Sequence, residues 1–228
     1  MEFSRLYLNR LQGTPTVPDT VVVIDTLRSF TTAAVAFAQG ARKLYPVENL
    51  TAAIGLRERM PDALLIGAVG GGDPVPGFDF GNSPSQLMTA DLKGRTLIMS
   101  TAAGVRGLQR FHAARHLFAT SLVCARATAA AIKNLKAKSV CFIITGEWVD
   151  RDGDEDIACA DYIEALLRGR EPDPSEYAER VRFSDFGRRF TAGTWPNLPL
   201  ADLELAEQVD RYDFALTVTR RDGYLVIL

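Results

Sequence analysis

The chain has 228 residues, of which 47% are hydrophobic and 24% are charged, so it has ample material for a folded core. Its formal net charge of −2 argues against a nucleic-acid binder, because phosphate contacts need a basic surface. No apolar run approaches the roughly 20 residues that span a bilayer, which argues against a membrane protein. Three cysteines without metal-ligand spacing indicate a reducing, cytoplasmic setting. We expect residues 1–228 to form a single domain.

Short apolar stretches alternate with helix-like stretches through the first two thirds of the chain. The predicted strands are Val21–Ile24, Ala63–Gly67, Thr96–Ser100 and Ser139–Thr145, and the amino terminus alternates like a further strand. The predicted helices are Thr26–Ala38, Leu50–Arg59, Val105–Phe111, Ala127–Asn134 and Glu155–Leu167. This alternation predicts an α/β protein with three α/β/α layers around a mostly parallel or mixed central sheet.

The last third of the chain has a different composition. Residues 170–199 are rich in Pro, Gly and charge, and they predict a surface excursion with one short helix near Ser175–Val181. A predicted helix at Leu200–Val209 follows. Asp222-Gly223 is then a strong turn signal between two strand-like runs, so we expect the chain to close with a β-hairpin.

Asp25 occupies the position where open α/β sheets bind their ligands. Four β-branched residues, Val21–Ile24, predict a strand buried on both faces, and a helix-compatible stretch begins directly after the carboxylate. Arg28 and Ser29 follow with a guanidinium, a hydroxyl and backbone N–H groups that suit an anion. Asp25 could instead serve only as a helix cap. Because a cap does not require an Arg and hydroxyls beside it, we favour a role in binding or catalysis.

A segment rich in Gly and Pro, residues 67–84, follows the second predicted strand. Gly81, Asn82 and Ser83 could present consecutive N–H groups to an anion. The segment lacks the Gly-Lys-Ser/Thr ending of a Walker loop and also lacks the dinucleotide-binding fingerprint. An ordinary surface loop is therefore an equal alternative to a binding loop.

The strand Thr96–Ser100 also leads from hydroxyl residues into a helix. Ser100 and Thr101 end the strand, and the chain then passes through Gly104 into the helix that carries Arg106. A second guanidinium at a strand-to-helix junction suits the same anion as the first. An ordinary surface position is the alternative for this arginine.

Five carboxylates lie within residues 150–156, and two of them, Glu155 and Asp156, open a predicted helix. Oxygen ligands of this kind suit a hard divalent cation, although the spacing does not fit a calcium EF-hand loop. Acidic residues also favour a helix amino end through the macrodipole, and both interpretations stay open. His112 and His116 could share a metal on a helix, but no third ligand is evident and we favour packing or exposure.

Taken together, these segments resemble the 2-phosphosulfolactate phosphatase family. The resemblance lies in residues 23–29, residues 77–84, the strand-to-helix junction at residues 100–106, and Glu155-Asp156. It implies a magnesium-dependent phosphatase that acts on 2-phospho-3-sulfolactate in coenzyme M biosynthesis. It also implies site residues by role: Asp25 and Glu155 in catalysis; Asp25, Glu155 and Asp156 as Mg²⁺ ligands; and Arg28, Ser29, Gly81, Asn82, Ser83, Thr101, Gly104 and Arg106 as contacts to a small anionic phosphoester.

The chain departs from the family pattern at several of these segments. Ala68 and Val69 stand where the family usually has Glu and Arg, Ala103 and Val105 where it usually has Asn and Thr, and Cys124 where an Asn is expected. These changes remove a carboxylate and several phosphate donors, although Asp73 could replace the carboxylate. Two hypotheses follow: a phosphatase for a small acidic phosphoester, or a catalytically impaired homologue that binds an anionic metabolite. A homodimer is one candidate assembly for either.

Overall fold

The structure, a computed structural model, describes residues 1–13, 16–69 and 72–228. Its strands are β1 (Glu2–Tyr7), β2 (Thr20–Ile24), β3 (Lys43–Pro46), β4 (Leu64–Val69), β5 (Asp73–Pro74), β6 (Thr96–Ser100), β7 (His116–Thr120), β8 (Ser139–Ile144), β9 (Leu216–Arg221) and β10 (Tyr224–Ile227). Its α-helices are α1 (Ser29–Ala38), α2 (Leu50–Arg59), α3 (Pro84–Leu87), α4 (Gly104–Arg110), α5 (Ala125–Asn134), α6 (Asp154–Leu167), α7 (Pro174–Phe183), α8 (Gly187–Thr191) and α9 (Leu200–Ala206).

The strands form one sheet in the order β1-β8-β2-β7-β9-β10-β3-β6-β4-β5. Two groups of strands are parallel within themselves: one contains β1, β8, β2 and β7, and the other contains β3, β6 and β4. The edge strand β5 pairs antiparallel with β4. The hairpin β9–β10 lies between these two parallel groups and pairs antiparallel with β7 on one side and β3 on the other. The predicted α/β fold with a mixed, mostly parallel sheet flanked by helices is thereby confirmed.

The predicted C-terminal hairpin forms at the predicted turn. Asp222 and Gly223 have φ angles of 53° and 83°, as both central residues of a type I′ turn require. The position of the hairpin within the sheet was not predicted: it joins two parallel groups in the middle of the sheet and does not extend an edge.

Strand β2 is buried along its whole length because helices cover both faces of the sheet. Val21 and Val23 pack into one hydrophobic cluster, and Val22 and Ile24 pack into another on the opposite face. Alternate side chains of a strand point to opposite faces, so a strand covered on both sides must be apolar at every position. This explains the run of four β-branched residues.

Helix α1 is enclosed by the rest of the fold. Its first eight residues, 29–36, are all buried, and three of them are polar. The small side chains along this helix allow the sheet and α4 to approach it closely. Within the described ranges, no helix combines the length and apolarity that crossing a membrane would require.

Residues 170–199 contain more packed structure than the predicted surface excursion. They include α7 and α8, and Val181, Phe186 and Phe190 are buried in the cluster on the outer face of β2 and β8. Charged residues around these few apolar side chains conceal the pattern in the sequence. The segment is therefore a helical cover over that face, and α8 reaches the edge of the site described below.

Three strands of the sheet, β3, β5 and β7, were not predicted, and β5 has only two residues. β3 carries Lys43 and ends at Pro46, and β7 begins at His116. Each has a core of only a few apolar residues, because polar or Pro residues at the ends shorten the apolar run. Their partners in the sheet, and not their own sequence, decide that these segments are strands.

Candidate active site

A cleft of about 420 Å³ opens where the chain leaves β2 and β6. Both connections that follow these strands lead directly into helices, α1 and α4. Six of the predicted site residues line the cleft, namely Asp25, Arg28, Ser29, Asn82, Thr101 and Arg106. The structure thus brings together residues from three separate segments of the sequence, as the strand-end argument predicted.

Asp25 fixes both helix starts at the floor of the cleft. Its Oδ1 accepts a hydrogen bond from Ser29 N at 2.9 Å, and its Oδ2 accepts one from Gly104 N at 2.8 Å. Asp25 therefore does act as a cap, the alternative left open by the sequence, but it also lines the cleft. A carboxylate oxygen has two lone pairs, so each oxygen can accept a further contact from a ligand.

The close approach of α4 to Asp25 requires a glycine. A Cβ atom at position 104 would lie 2.7 Å from Asp25 Oδ2 and 2.9 Å from the ring of Phe30. Gly104 therefore acts through its backbone and through its lack of a side chain. It is itself buried, behind the cleft surface.

Asp156 ties the carboxyl ends of β2 and β8 together. Its Oδ1 accepts from Thr26 N at 2.8 Å. Its Oδ2 accepts from Thr145 N at 3.0 Å, from Thr145 Oγ1 at 3.2 Å and from Gly146 N at 2.8 Å. Four donors use most of the acceptor capacity of this carboxylate. The geometry therefore favours a positioning role for Asp156 over direct ligation of a metal.

Glu155 is buried beside Asp156, and neither of its carboxylate oxygens has a hydrogen-bond partner within the described residues. Burial and the neighbouring Asp156 charge raise the pKa of Glu155 to about 8. Burial and the charge of Asp25 likewise raise the pKa of Asp156 to about 7. Asp156 thus interacts electrostatically with both Glu155 and Asp25. Of these three carboxylates, Asp25 lines the cleft, whereas Glu155 and Asp156 are not among its lining residues. In residues 1–13, 16–69 and 72–228, however, no three His, Cys, Asp or Glu side chains are arranged to hold a metal ion.

Arg28 lies at the cleft wall in an almost fully buried ion pair that sequence reasoning missed. Its Nη1 donates to Asp202 Oδ2 at 2.7 Å and to the carbonyl oxygen of Asn197 at 3.0 Å. Its guanidinium carbon also lies 5.8 Å from the centre of the Phe190 ring. All three partners come from the C-terminal part of the chain, where no signal connects them with the sequence around Arg28.

The segment Gly81–Ser83 contributes less to the cleft than predicted. Gly81 N donates to Gln86 Oε1 at 3.2 Å, and Ser83 Oγ donates to Asp202 Oδ1 at 2.7 Å. The N–H of Gly81 and the hydroxyl of Ser83 are therefore engaged with other parts of the protein, and neither residue is among those that line the cleft. Asn82 does line the cleft, and its Nδ2 donates to Ser29 Oγ at 3.4 Å.

A second wall of the cleft comes from residues that sequence reasoning did not assign to the site. Trp148, Asp150 and Arg151 follow β8, and Phe186 and Arg189 come from the region of α8. The strand-end rule could have identified the first three, because they follow a buried parallel strand just as Asp25 does. Nothing in the sequence pairs them with the other two residues.

Arginines outnumber carboxylates among the residues that line the cleft. Four arginines, at positions 28, 106, 151 and 189, and two aspartates, at positions 25 and 150, line it. Arg106 is exposed and donates to Asn9 Oδ1, and it is not engaged in a buried ion pair as Arg28 is. Asp202 neutralises Arg28, and Arg151 and Arg189 share Asp150. Among the described residues, Arg106 is the lining arginine without a carboxylate partner, and its positive charge favours an anionic ligand.

Some of the positions that depart from the family pattern line the cleft, and others lie elsewhere in the fold. Ala68, Val69 and Ala103 line the cleft, so the sequence changes do alter its surface. Cys124 is fully buried, and burial raises the pKa of its thiol, so it behaves as a core residue. Asp73 is exposed and accepts a hydrogen bond from Asn197 Nδ2 at 2.8 Å. Gly70 and Gly71 lie outside the described residues.

Fold and site together define an α/β protein with a polar, arginine-lined cleft at the ends of its parallel strands. The family model for 2-phosphosulpholactate phosphatase matches residues 7–188, and the chain belongs to that family. The resemblance inferred from the motifs is therefore confirmed.

Relatives named "probable 2-phosphosulfolactate phosphatase" align over most of the chain. The protein from Bacillus subtilis is 31% identical over 206 residues, covering 90% of this chain and 89% of the relative. The one from Thermoplasma volcanium is 30% identical over 192 residues, covering 84% and 85%. The protein from Carboxydothermus hydrogenoformans is 42% identical over a shorter stretch of 147 residues, covering 64% and 60%.

Proposed function

We propose that the protein is a phosphatase that hydrolyses a small anionic phosphoester, as the names of its relatives suggest, and that its activity depends on magnesium. The observation that carries the proposal is the cleft in which Asp25 lies among Arg28, hydroxyl groups and Asn82. A phosphoester dianion must be neutralised before a nucleophile can approach phosphorus, and this cleft supplies positive charge and hydrogen-bond donors.

Each polar residue of the cleft has a place in this scheme. Arg28 and Arg106 hold the phosphoryl oxygens, since a guanidinium matches a tetrahedral oxyanion in two-point contact. Ser29 and Thr101, whose hydroxyl oxygens lie 3.0 Å apart, and Asn82 donate hydrogen bonds beside them. Asp25 orients the attacking group, because it is the carboxylate between the two helix starts on the cleft floor.

Magnesium fits the donor chemistry of two of the three predicted ligands. Asp25 has acceptor capacity at the cleft, and Glu155 has two buried oxygens that need a proton or a cation. These two residues would hold the ion, while Asp156 keeps the ends of β2 and β8 in register beside them. A bound Mg²⁺ would supply Lewis-acid stabilisation of the phosphoryl oxygens.

The second candidate function is an anion-binding protein without turnover. Ala68 and Ala103 line the cleft where the family usually has a carboxylate and an amide, and this observation favours it. Such a protein would keep the arginines and lose groups that act only in the transition state.

The deciding experiment measures phosphate release from a panel of phosphoesters, including 2-phosphosulfolactate, with magnesium and with EDTA. The proposal expects magnesium-dependent release that Asp25→Asn abolishes. Isothermal titration of inorganic phosphate into the same protein provides the second arm. Binding of phosphate without hydrolysis of any ester would support the anion-binding protein and overturn the phosphatase.

A further inference from the structure

The cleft has two chemically different sides. Asp25, Arg28, Ser29, Asn82 and Thr101 form a polar end. The remaining wall contains apolar side chains from five segments of the chain, namely Leu27, Ala68, Val69, Ala102, Ala103, Trp148 and Phe186, beside the polar residues Asn9, Arg106, Thr145, Asp150, Arg151 and Arg189. A phosphoryl group held at the Arg28 end leaves the remaining wall, with these apolar side chains, to contact the organic part of the substrate.

Two large apolar side chains on this wall are open to solvent. Trp148 is 47% exposed and Val69 is 40% exposed, although both line the cleft. Large apolar side chains that converge on a concave surface are typical of ligand sites. Their exposure leaves apolar area that a ligand can cover.

The arginines of this wall are already engaged with other side chains. Arg189 lies 2.6 Å from the carboxylate of Asp150, and the guanidinium of Arg151 lies 4.7 Å from the centre of the Phe186 ring. Arg151 is also 3.9 Å from Asp150. The shared aspartate and the ring contact lower the capacity of this wall to bind a second strongly acidic group, whereas guanidinium planes and rings are good stacking surfaces.

The size of the cleft agrees with a substrate larger than a three-carbon phosphoester. Its volume of about 420 Å³ lies within the range of roughly 300–1,000 Å³ that accommodates drug-sized ligands. A minimal acidic phosphoester bound at the polar end would leave Trp148 and Val69 uncovered.

We propose that the substrate is a phosphomonoester with a flat apolar organic group, as in an aryl phosphate, whose ring covers Trp148 and Val69. This inference rests on the proposed function for its chemistry and adds a substrate class to it. The phosphoryl group lies at the Arg28 end, and the ring lies on the opposite wall.

Binding of non-hydrolysable phosphonates tests the inference without turnover. Isothermal titration compares phenylphosphonate, methylphosphonate and phosphonoacetate on the same protein. We expect phenylphosphonate to bind at least about tenfold more tightly than the other two, because its ring buries apolar area on the wall. Equal affinities, tighter binding of phosphonoacetate, or no binding of phenylphosphonate would overturn the proposal.

Trp148→Ala and Phe183→Ala form a matched pair of variants. Both aromatic side chains are exposed, at 47% and 56%, but neither Phe183 nor Arg188, which lies over its ring, is among the residues that line the cleft. The affinity ratio of phenylphosphonate to methylphosphonate should fall below about threefold in Trp148→Ala and stay unchanged in Phe183→Ala. An unchanged ratio in Trp148→Ala would overturn the proposal.

Hydrolysis separates failure of the inference from failure of the proposed function. One outcome is that the protein binds phenylphosphonate preferentially and yet hydrolyses neither phenyl phosphate nor any other ester. In that case the inferred binding specificity is correct and the proposed phosphatase activity is wrong. A protein that hydrolyses small acidic phosphoesters and shows no preference for the phenyl compound remains a phosphatase, and the inferred substrate class is then wrong.

Discussion

Arg28 Nη1 lies 2.7 Å from Asp202 Oδ2, and the two side chains are only 3% and 0% exposed. The other oxygen of Asp202 accepts hydrogen bonds from Ser83 Oγ, Ser85 N and Ser85 Oγ. One carboxylate from α9 therefore holds both the cleft arginine and the start of α3. It lies 174 residues from its arginine partner in the sequence, and it falls beyond the part of the chain that the family model matches.

Removal of the Asp202 carboxylate should destabilise the fold. Asp202→Ala leaves the buried Arg28 guanidinium without its anion, and breaking a buried pair in this way costs about 3–5 kcal/mol. Urea denaturation measures the loss. Asp202→Asn is the control, since its amide oxygen can still accept hydrogen bonds, and it should lose less. A loss below about 1 kcal/mol in Asp202→Ala would contradict the role assigned to this pair.

The two cleft arginines should respond differently to removal. Arg106→Ala should weaken phosphate binding and leave the free energy of unfolding within about 0.5 kcal/mol of the parent, because its side chain is exposed. Arg28→Ala should weaken binding and also destabilise the fold, because it leaves Asp202 buried and unpaired. Titration of phosphate and urea denaturation of both variants provide the comparison. Equal losses of unfolding free energy in the two variants would show that the buried Arg28–Asp202 pair contributes no extra stability.

The buried carboxylates should make the metal-free protein less stable as pH rises. The pKa of Glu155 is raised from 4.5 to about 8, so the folded state binds its proton more tightly than the unfolded state does. The contribution of protonated Glu155 to the free energy of unfolding is complete below pH 4.5 and is lost as pH rises toward about 8. The raised pKa of Asp156 acts in the same direction between 3.8 and about 7.

Glu155→Gln tests this pH dependence directly. In EDTA, the free energy of unfolding of this variant should fall less steeply between pH 5 and 8 than that of the parent, because the amide does not ionise. Glu179→Gln on the exposed surface of α7 is the matched control and should keep the parental slope. Identical slopes for Glu155→Gln and the parent would rule out Glu155 as the titrating group.

Gly104→Ala should disturb the carboxylate of Asp25. The added Cβ would lie 2.7 Å from Asp25 Oδ2, so the carboxylate or the start of α4 must move, at a cost of about 1–3 kcal/mol in stability and with loss of activity. Gly55→Ala in α2 is the matched control. It meets no atom within 4 Å, and alanine there should stabilise the helix by about 0.5–1 kcal/mol. Retained activity in Gly104→Ala would mean that Asp25 need not be held so closely.

Restoring the family residues at two apolar cleft positions, 68 and 103, should change the rate of hydrolysis. If the site is an eroded version of the family site, Ala68→Glu and Ala103→Asn should raise the rate on 2-phosphosulfolactate at saturating magnesium. A single preorganised donor is worth about 10²- to 10³-fold in rate. A parent that is already fast and is slowed by both substitutions would instead show a site built for a different phosphoester.

The sequence alone was sufficient for the parts of this protein that depend on local patterns. Neighbouring residues alone were enough to predict three features: the β-branched strand β2, the Asp222-Gly223 turn, and helix α1 with its small residues. Because parallel strands direct their carboxyl ends to one region, the same patterns also brought Asp25, Thr101 and Arg106 to a common cleft. The motifs within these segments were enough to indicate the family.

Only the tertiary structure decided how the polar groups are used. Asp202 forms an ion pair with Arg28, and Gln86 accepts a hydrogen bond from the N–H of Gly81. Asp156 accepts hydrogen bonds from residues that follow two different strands, β2 and β8. A carboxylate in a sequence shows its charge but not its hydrogen-bond donors, which come here from residues far away along the chain. The apolar wall at Trp148 was equally hidden, because it forms only when α8 packs beside the end of β8. Residue type and spacing therefore predicted where ligands bind, whereas contacts between distant segments determined which side chains face them.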